Sequence, residues 1–201
     1  MESTQTHFNK KKIGVYSGSF NPIHIGHTNL AQYLIDNKLV EEVWFVISPC
    51  NPFKNKSELL DEYIRLDMLI YAIQGQQFFK ASDVEFCMPI PSYSADTLDF
   101  LSNQYPEFEF SLIIGSDNAL VFDQWHNYNQ ILNKYPILVY PRTNYNFNLV
   151  ADKFHQMQLL NSPVFDISST QIRHMINLKK DASQWLHPSV YQYIIENNLY
   201  V

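Results

Sequence analysis

The chain of 201 residues predicts an α/β fold with a doubly wound, mostly parallel sheet and helices on both faces. Three observations predict it. Short apolar runs alternate with amphipathic ones in the order β-α-β-α-β-α-β-α-β, followed by helical additions. The strand candidates, above all EVWFVIS at 42–48, are apolar nearly throughout, as strands buried on both faces are. The unusual polar residues gather where each strand candidate ends, the edge at which such sheets bind ligands. The arrangement is Rossmann-like, and the sequence reads as one domain over 1–201 with a small helical C-terminal part, 168–201.

Residues 1–11 read as a flexible tail, with Lys10, Lys11 and Lys12 as a solvated cluster. A first strand at Lys12–Tyr16 leads through Ser17, Gly18, Ser19 and the turn pair Asn21-Pro22 to a helix over 26–36, whose Leu30, Ala31 and Leu34 face inward. Strand two, 42–48, is followed by the loop PCNPFKNKS and a helix over 58–74. Its Leu59, Tyr63, Leu66, Ile70 and Ile73 recur at helical spacing, and Gly75 stops it. Strand three spans 78–86, and the loop MPIPSYS then leads to a helix over 95–103 with Ser94 as N-cap. Strand four, 108–114, runs into Gly115-Ser116-Asp117. A helical stretch over 117–134 breaks at Trp125-His126, and strand five, 137–140, ends at Pro141-Arg142. The region 143–162 holds one helix near 149–156. A short strand at 164–167 precedes helices over 170–178 and 188–197.

Composition narrows the function. Hydrophobic residues make up 46% and charged residues 17%, a folded chain with a core. A net charge of −6 disfavours non-specific coverage of nucleic acid, but a small anionic substrate needs only a few local donors. Cys50 and Cys87 sit in no metal-binding spacing and read as reduced thiols. The polar N-terminus MESTQTHFNKKK lacks the apolar stretch of a secretory signal, and no apolar run is long enough to span a bilayer. The expected location is the cytoplasm, and a homo-oligomer is compatible with the sequence.

Two stretches carry the chemistry. GVYSGSFNPIHIGH, 14–27, is a strand that empties through small residues onto a helix start, where free backbone N–H groups and the helix dipole favour phosphate. His24 and His27 stand one turn apart and suit donation to phosphate oxygens. Zinc would need a third ligand that is not nearby. DISSTQIR, 166–173, places Ser168, Ser169, Thr170 and Arg173 at a second strand-to-helix junction, where capping and anion binding coincide. Two such termini facing each other suit a triphosphate. Neither GxGxxG nor the P-loop pattern is present, which disfavours a dehydrogenase and a P-loop kinase.

GSFNPIHIGH resembles the (H/T)xGH signature of the nucleotidyltransferase superfamily, and ISSTQIR resembles its ISSTxIR signature, about 140 residues further on. PSYSADTL (91–98), IIGSDNALVFDQW (113–125) and the ending LHPSVYQYIIENNLY are similar to the bacterial nicotinate-mononucleotide adenylyltransferases, so the resemblance covers nearly the whole chain. It implies adenylyl transfer from ATP to nicotinate mononucleotide, with Mg²⁺ on the phosphates and pyrophosphate as the second product. The same transfer to nicotinamide mononucleotide or phosphopantetheine, and a non-catalytic nucleotide-binding protein of this fold, are the alternatives. Residue by residue, the resemblance implies that His24 and His27 contact ATP phosphates and that Gly18, Ser19 and Phe20 offer backbone groups. Ser168, Ser169, Thr170 and Arg173 hold the β- and γ-phosphates. Lys54 neutralises phosphate, and Gly115 and Asp117 meet adenosine. On the acceptor side it implies Tyr93 and Ser94 near the pyridine carboxylate, Trp125 stacked on the ring, and Arg142 at phosphate or ribose. The chain departs from the family pattern at Ser17, Ser19 and Asn21, where the family commonly has glycine, threonine and aspartate. It departs again at Phe53 for histidine and Ser94 for threonine.

Overall fold

The computed structural model of the chain describes residues 10–49, 59–146 and 148–201. Among these, six strands form one all-parallel sheet in the order β3-β2-β1-β4-β5-β6: β1 Lys11–Gly18, β2 Glu42–Ile47, β3 Phe79–Ser82, β4 Phe108–Gly115, β5 Ile137–Tyr140 and β6 Met157–Leu159. The order reverses between β1 and β4, so a crevice opens at their carboxyl ends.

Period-two alternation sorts each central strand into two cores. Phe45 and Ile113 face one side with Leu30 and Leu34 of α1 (Ile25–Asp36), Met68 and Leu69 of α2 (Glu62–Ile73), Ile172 of α7 (Ser169–Asn177) and Ile194 of α8 (Pro188–Glu196). Val15, Trp44 and Leu112 face the other, with Leu98 of α3 (Ser94–Gln104), Ala119 of α4 (Ser116–Leu120), Ile131 of α5 (Tyr128–Lys134) and Val150 of α6 (Asn148–Lys153). The C-terminal helical part thus joins the α1/α2 layer, where the Tyr193 hydroxyl donates to Asp67 Oδ2 at 3.1 Å.

Several expectations are corrected. Lys11 opens β1 and pairs with Glu42, so it is not part of a tail. Helix α2 starts at Glu62, capped by Asp61, and buries Arg65, Met68, Leu69, Ala72 and Ile73. Tyr63 is 63% and Ile70 48% exposed, so the inward face is rotated from the one the spacing suggests. Strand β3 stops at Ser82, and Val84–Cys87 form a 3₁₀ turn. Tyr93, not Ser94, is the N-cap of α3. The sixth strand is Met157–Leu159. Residues 164–167 form no strand, because β6 already occupies the edge of β5; the Ile167 N–H turns back to the Phe165 carbonyl at 2.9 Å. The break at Trp125-His126 falls between a 3₁₀ turn, Phe122–Gln124, and α5.

Candidate active site

The two singled-out stretches come together at the end of β1. The Arg173 guanidinium donates to the Asn21 carbonyl at 3.0 Å, and the Ser169 hydroxyl donates to the Pro22 carbonyl at 2.8 Å. The start of α7 is thereby stitched to the turn that precedes α1. Asn21 is a hub: its Oδ1 accepts the Tyr200 hydroxyl at 2.8 Å and the Leu60 N–H at 3.4 Å. Phe20 adopts φ 43°, a left-handed conformation that is uncommon for a residue with a side chain and tends to mark functional turns.

The histidines differ although they stack, with ring centroids 3.7 Å apart and planes at 27°. His27 is half-buried. Its Nδ1 accepts the His24 backbone N–H at 3.2 Å, so the neutral ring carries its proton on Nε2 as a donor. His24 is buried, and its Nδ1 has no hydrogen-bond partner. Burial, with the positive charge of Arg142 adding to it, lowers its pKa to about 3, so the ring is neutral. Gly26 packs closely between them: a Cβ there would stand 3.0 Å from His24 Nδ1 and 3.1 Å from Ile167 Cγ2, so the His24 ring would have to shift by a few tenths of an ångström.

These residues line a cavity of about 740 Å³ that also holds Asp117, Arg142, Ser168, Thr170 and Arg173. Ser168 Oγ accepts the Gln171 N–H at 3.2 Å while Gln171 Oε1 accepts the Ser168 N–H at 2.8 Å, a capping box. The hydroxyls of Ser168 and Ser169 are therefore engaged within the protein. What the start of α7 presents to the cavity is free backbone N–H groups, Thr170 and Arg173. Arg142 Nε lies 3.7 Å from Asp117 Oδ2, while Asp117 Oδ1 is buried without a partner. Lys54 lies outside the described residues.

A second cavity, of about 450 Å³, is lined by Glu85, Tyr93, Ser94, Gly115, Trp125 and His126 among others. Gly115 therefore lines this half and Asp117 the other, although the two are neighbours: a Cβ at Gly115 would stand 2.3 Å from Asp117 Oδ1. Tyr93 and His126 face each other with ring centroids 4.4 Å apart, and Trp125 leans on Phe122 at 5.1 Å with its Nε1 buried and unpartnered. The loop that carries Tyr93 is anchored by Glu85, which accepts the Ser92 hydroxyl at 2.5 Å and the Thr97 hydroxyl at 2.9 Å. Burial raises the Glu85 pKa against the lowering effect of those hydroxyls. The two cavities share Tyr16, Ser17, Gly18, Asn118, Gln124 and Tyr140, so they are halves of one cleft.

Sequence reasoning missed Tyr16, Tyr140, Glu85, Arg65 and Tyr200. Tyr16 and Tyr140 could have been found as aromatics near the carboxyl ends of two strands. Arg65 gave no signal, because a charged residue on a helix is read as exposed. Among the described residues no group of three or more His, Cys, Asp or Glu could hold a metal ion, and no helix is long and apolar enough to cross a membrane.

Residues 15–175 match the cytidylyltransferase-like family. The chain is 47% identical over 190 residues to a Bacteroides fragilis protein named a probable nicotinate-nucleotide adenylyltransferase, covering 93% of this chain and 92% of that one. It is 46% identical to a protein of the same name from Bacteroides thetaiotaomicron, covering 94% of this chain and 93% of the relative. In three dimensions it resembles the Plasmodium falciparum nicotinic acid mononucleotide adenylyltransferase complexed with NaAD. The TM-score is 0.81 at 24% identity, over 94% of this chain and 97% of that one, a likeness of fold.

Proposed function

The chain belongs to the cytidylyltransferase-like family of nucleotidyltransferases, and from that premise we propose that it transfers the adenylyl group of ATP to nicotinate mononucleotide. The products are nicotinate adenine dinucleotide and pyrophosphate, a step of NAD biosynthesis. The observation that carries this reading is the divided cleft. One half is lined by phosphate-type donors and the other by aromatic rings, and they meet at the end of β1. ATP occupies the half with His24, His27 and Arg173, and the pyridine end of the acceptor occupies the half with Trp125 and Tyr93.

A phosphate oxygen of the mononucleotide attacks the α-phosphorus in line. The bond from that phosphorus to the bridging oxygen breaks, and pyrophosphate leaves with the electron pair. The attacking oxygen is already anionic, so no general base is needed. Catalysis is positioning plus stabilisation of charge on the five-coordinate phosphorus. His27 Nε2–H, the N–H groups after Ser168, Thr170 and Arg173 are the donors for that charge. His24 acts as a neutral ring. It sets the orientation of His27 by stacking and by its backbone N–H. The backbone of Gly18 lies at the seam that the two substrates share, and that of Ser19 and Phe20 lines the ATP half. Asp117 and Arg142 form the adenosine side, with Gly115 giving them room, and Ser94 borders the pyridine side. Lys54, outside the described residues, is proposed as a further positive charge for phosphate.

Mg²⁺ joins such sites through one or two carboxylates and the substrate phosphates. Asp117 is the carboxylate that lines the donor half, which fits a cation carried on the phosphates. When bound there it would neutralise part of the triphosphate charge. We place the protein in the cytoplasm, in keeping with its composition and thiols. Pyrophosphate release with ATP and either the acid or the amide mononucleotide tests the reading. The acid is expected to be the better acceptor; equal or better use of the amide overturns the assignment.

A further inference from the structure

The seam of the cleft holds two tyrosines that no role above employs. Tyr16 on β1 and Tyr140 at the end of β5 place their hydroxyl oxygens 3.1 Å apart, across the width of β4. Both residues line both halves of the cleft. The Tyr16 ring is held by packing: it meets Phe20, Phe45 and His27 with centroids 5.5, 5.7 and 5.9 Å away, and the Tyr140 ring stands edge-on to it at 6.0 Å.

Counting protons leaves one donor over. Two phenols carry two O–H protons and share one hydrogen bond. Arg142 sets its positive charge beside Tyr140 and pulls the Tyr140 pKa down against burial. Whichever phenol donates to the other, one O–H remains uncommitted, and among the described residues neither hydroxyl has another acceptor. Burial raises both phenol pKa values, so both protons stay in place at neutral pH.

We propose that the Tyr16–Tyr140 pair is a substrate contact, and that its uncommitted O–H donates to a non-reacting oxygen of the acceptor's phosphate. The inference rests on the adenylyl-transfer reading. An acceptor whose ring lies by Trp125 must carry its phosphate past this seam to reach an α-phosphate beside His27. A neutral phenol suits that task. It orients the incoming phosphate without the full cation that would draw electron density from the attacking oxygen.

The test compares the parent enzyme with Tyr16→Phe/Tyr140→Phe, which keeps both rings and removes both hydroxyls. Binding is measured by calorimetry for nicotinate mononucleotide, for the same nucleoside without its phosphate, and for ATP. The double variant is expected to bind the mononucleotide about tenfold more weakly, with the nucleoside and ATP each within about twofold of the parent. Mononucleotide binding within about twofold of the parent overturns the proposal, and so does an equal loss for the nucleoside. The second result would mean that the pair serves packing. Should the double variant not fold, Tyr140→Phe alone is read in the same way, with a phosphate-selective loss of at least about threefold expected. A parent that releases pyrophosphate from ATP and the mononucleotide, beside a variant with unchanged binding, removes the tyrosine contact alone. A parent inactive with that acceptor removes the function and this contact together.

Discussion

Arg65 is a fully buried cation at 0% exposure, and its loss should be among the costliest single changes in the chain. Its Nε donates to Leu60 O at 2.9 Å, Nη1 to Ser19 O and Ser48 O at 2.8 Å each, and Nη2 to Pro49 O at 3.2 Å. It therefore ties the turn after β1 to the end of β2 from the side of α2. Arg65→Met keeps length and volume while removing every donor. The acceptors are backbone carbonyls, which the substitution cannot remove with the charge. Each is left in a site where a charged hydrogen bond was worth about 1.5–3 kcal/mol. Relief of the buried charge offsets part of this, leaving about 3–5 kcal/mol, as for other one-sided removals from buried polar networks. That is a large share of a domain stability of about 5–15 kcal/mol. It should lower Tm by about 10 °C for a chain of this length. Urea unfolding should show the midpoint shift at unchanged slope. Arg65→Lys should recover less than half, since one ammonium cannot span the fork. A loss below about 1 kcal/mol in Arg65→Met would refute this account of how the corner is held.

Three further outcomes follow from the site. His27→Ala should keep the fold but cut turnover by about 10²–10³-fold, because it removes one donor to the charge that develops on phosphorus. Pyrophosphate release measured beside a melting curve checks this, and undiminished release contradicts it. The His24 pKa falls from 6.5 to about 3 on folding, so between those values the unfolded chain binds a proton that the folded chain does not. Its contribution is intact above pH 6.5 and is lost as pH falls toward 3, about 2 kcal/mol by pH 5. His24→Asn should flatten that part of the stability profile, and an unchanged slope by denaturant titration would reject the buried neutral ring. A Cβ at Gly115 would stand 2.3 Å from Asp117 Oδ1 and 3.0 Å from Arg142 Cγ. Gly115→Ala should therefore displace both side chains and lower turnover about tenfold or more. Wild-type kinetics in that variant would show that their placement does not matter.

The parts of the fold legible in the sequence were those whose signal is local. β1, β2, β4 and β5 are apolar runs buried on both faces, and the Ser168–Arg173 junction carries its own capping residues. The misreadings have a common physical cause: tertiary contacts overrode local pattern. Tyr63 and Ile70 matched a helical period, yet α2 is rotated by the demand that Arg65 point inward to four carbonyls. VFDI at 164–167 has strand composition but meets no free sheet edge, while the short MQL does. The pattern located the donor half of the cleft through its histidines. It gave the Ser168 cap, but not that Ser169 turns its hydroxyl to the Pro22 carbonyl, because that partner is set by what folds against it.

The division of the cleft also follows the chain. The donor half is closed by contacts between residues far apart in sequence. Ser169 to Pro22 spans 147 positions, Arg173 to Asn21 spans 152 and Tyr200 to Asn21 spans 179. Beyond Ser48 and the residues of the shared seam, the acceptor half is built from the middle of the chain, Glu85 to His126, with local anchors such as Ser92 and Thr97 on Glu85. Closing long loops is entropically unfavourable until the contacts they bring form together, so the donor corner can exist only once the C-terminal helices have docked. Asn21 sits where those contacts converge. At this position the family commonly has aspartate, which would accept the same Tyr200 and Leu60 hydrogen bonds while adding a negative charge beside a triphosphate. The amide keeps both acceptor bonds and leaves that charge out, so the substitution preserves the architecture of the corner and makes its field more favourable to anions.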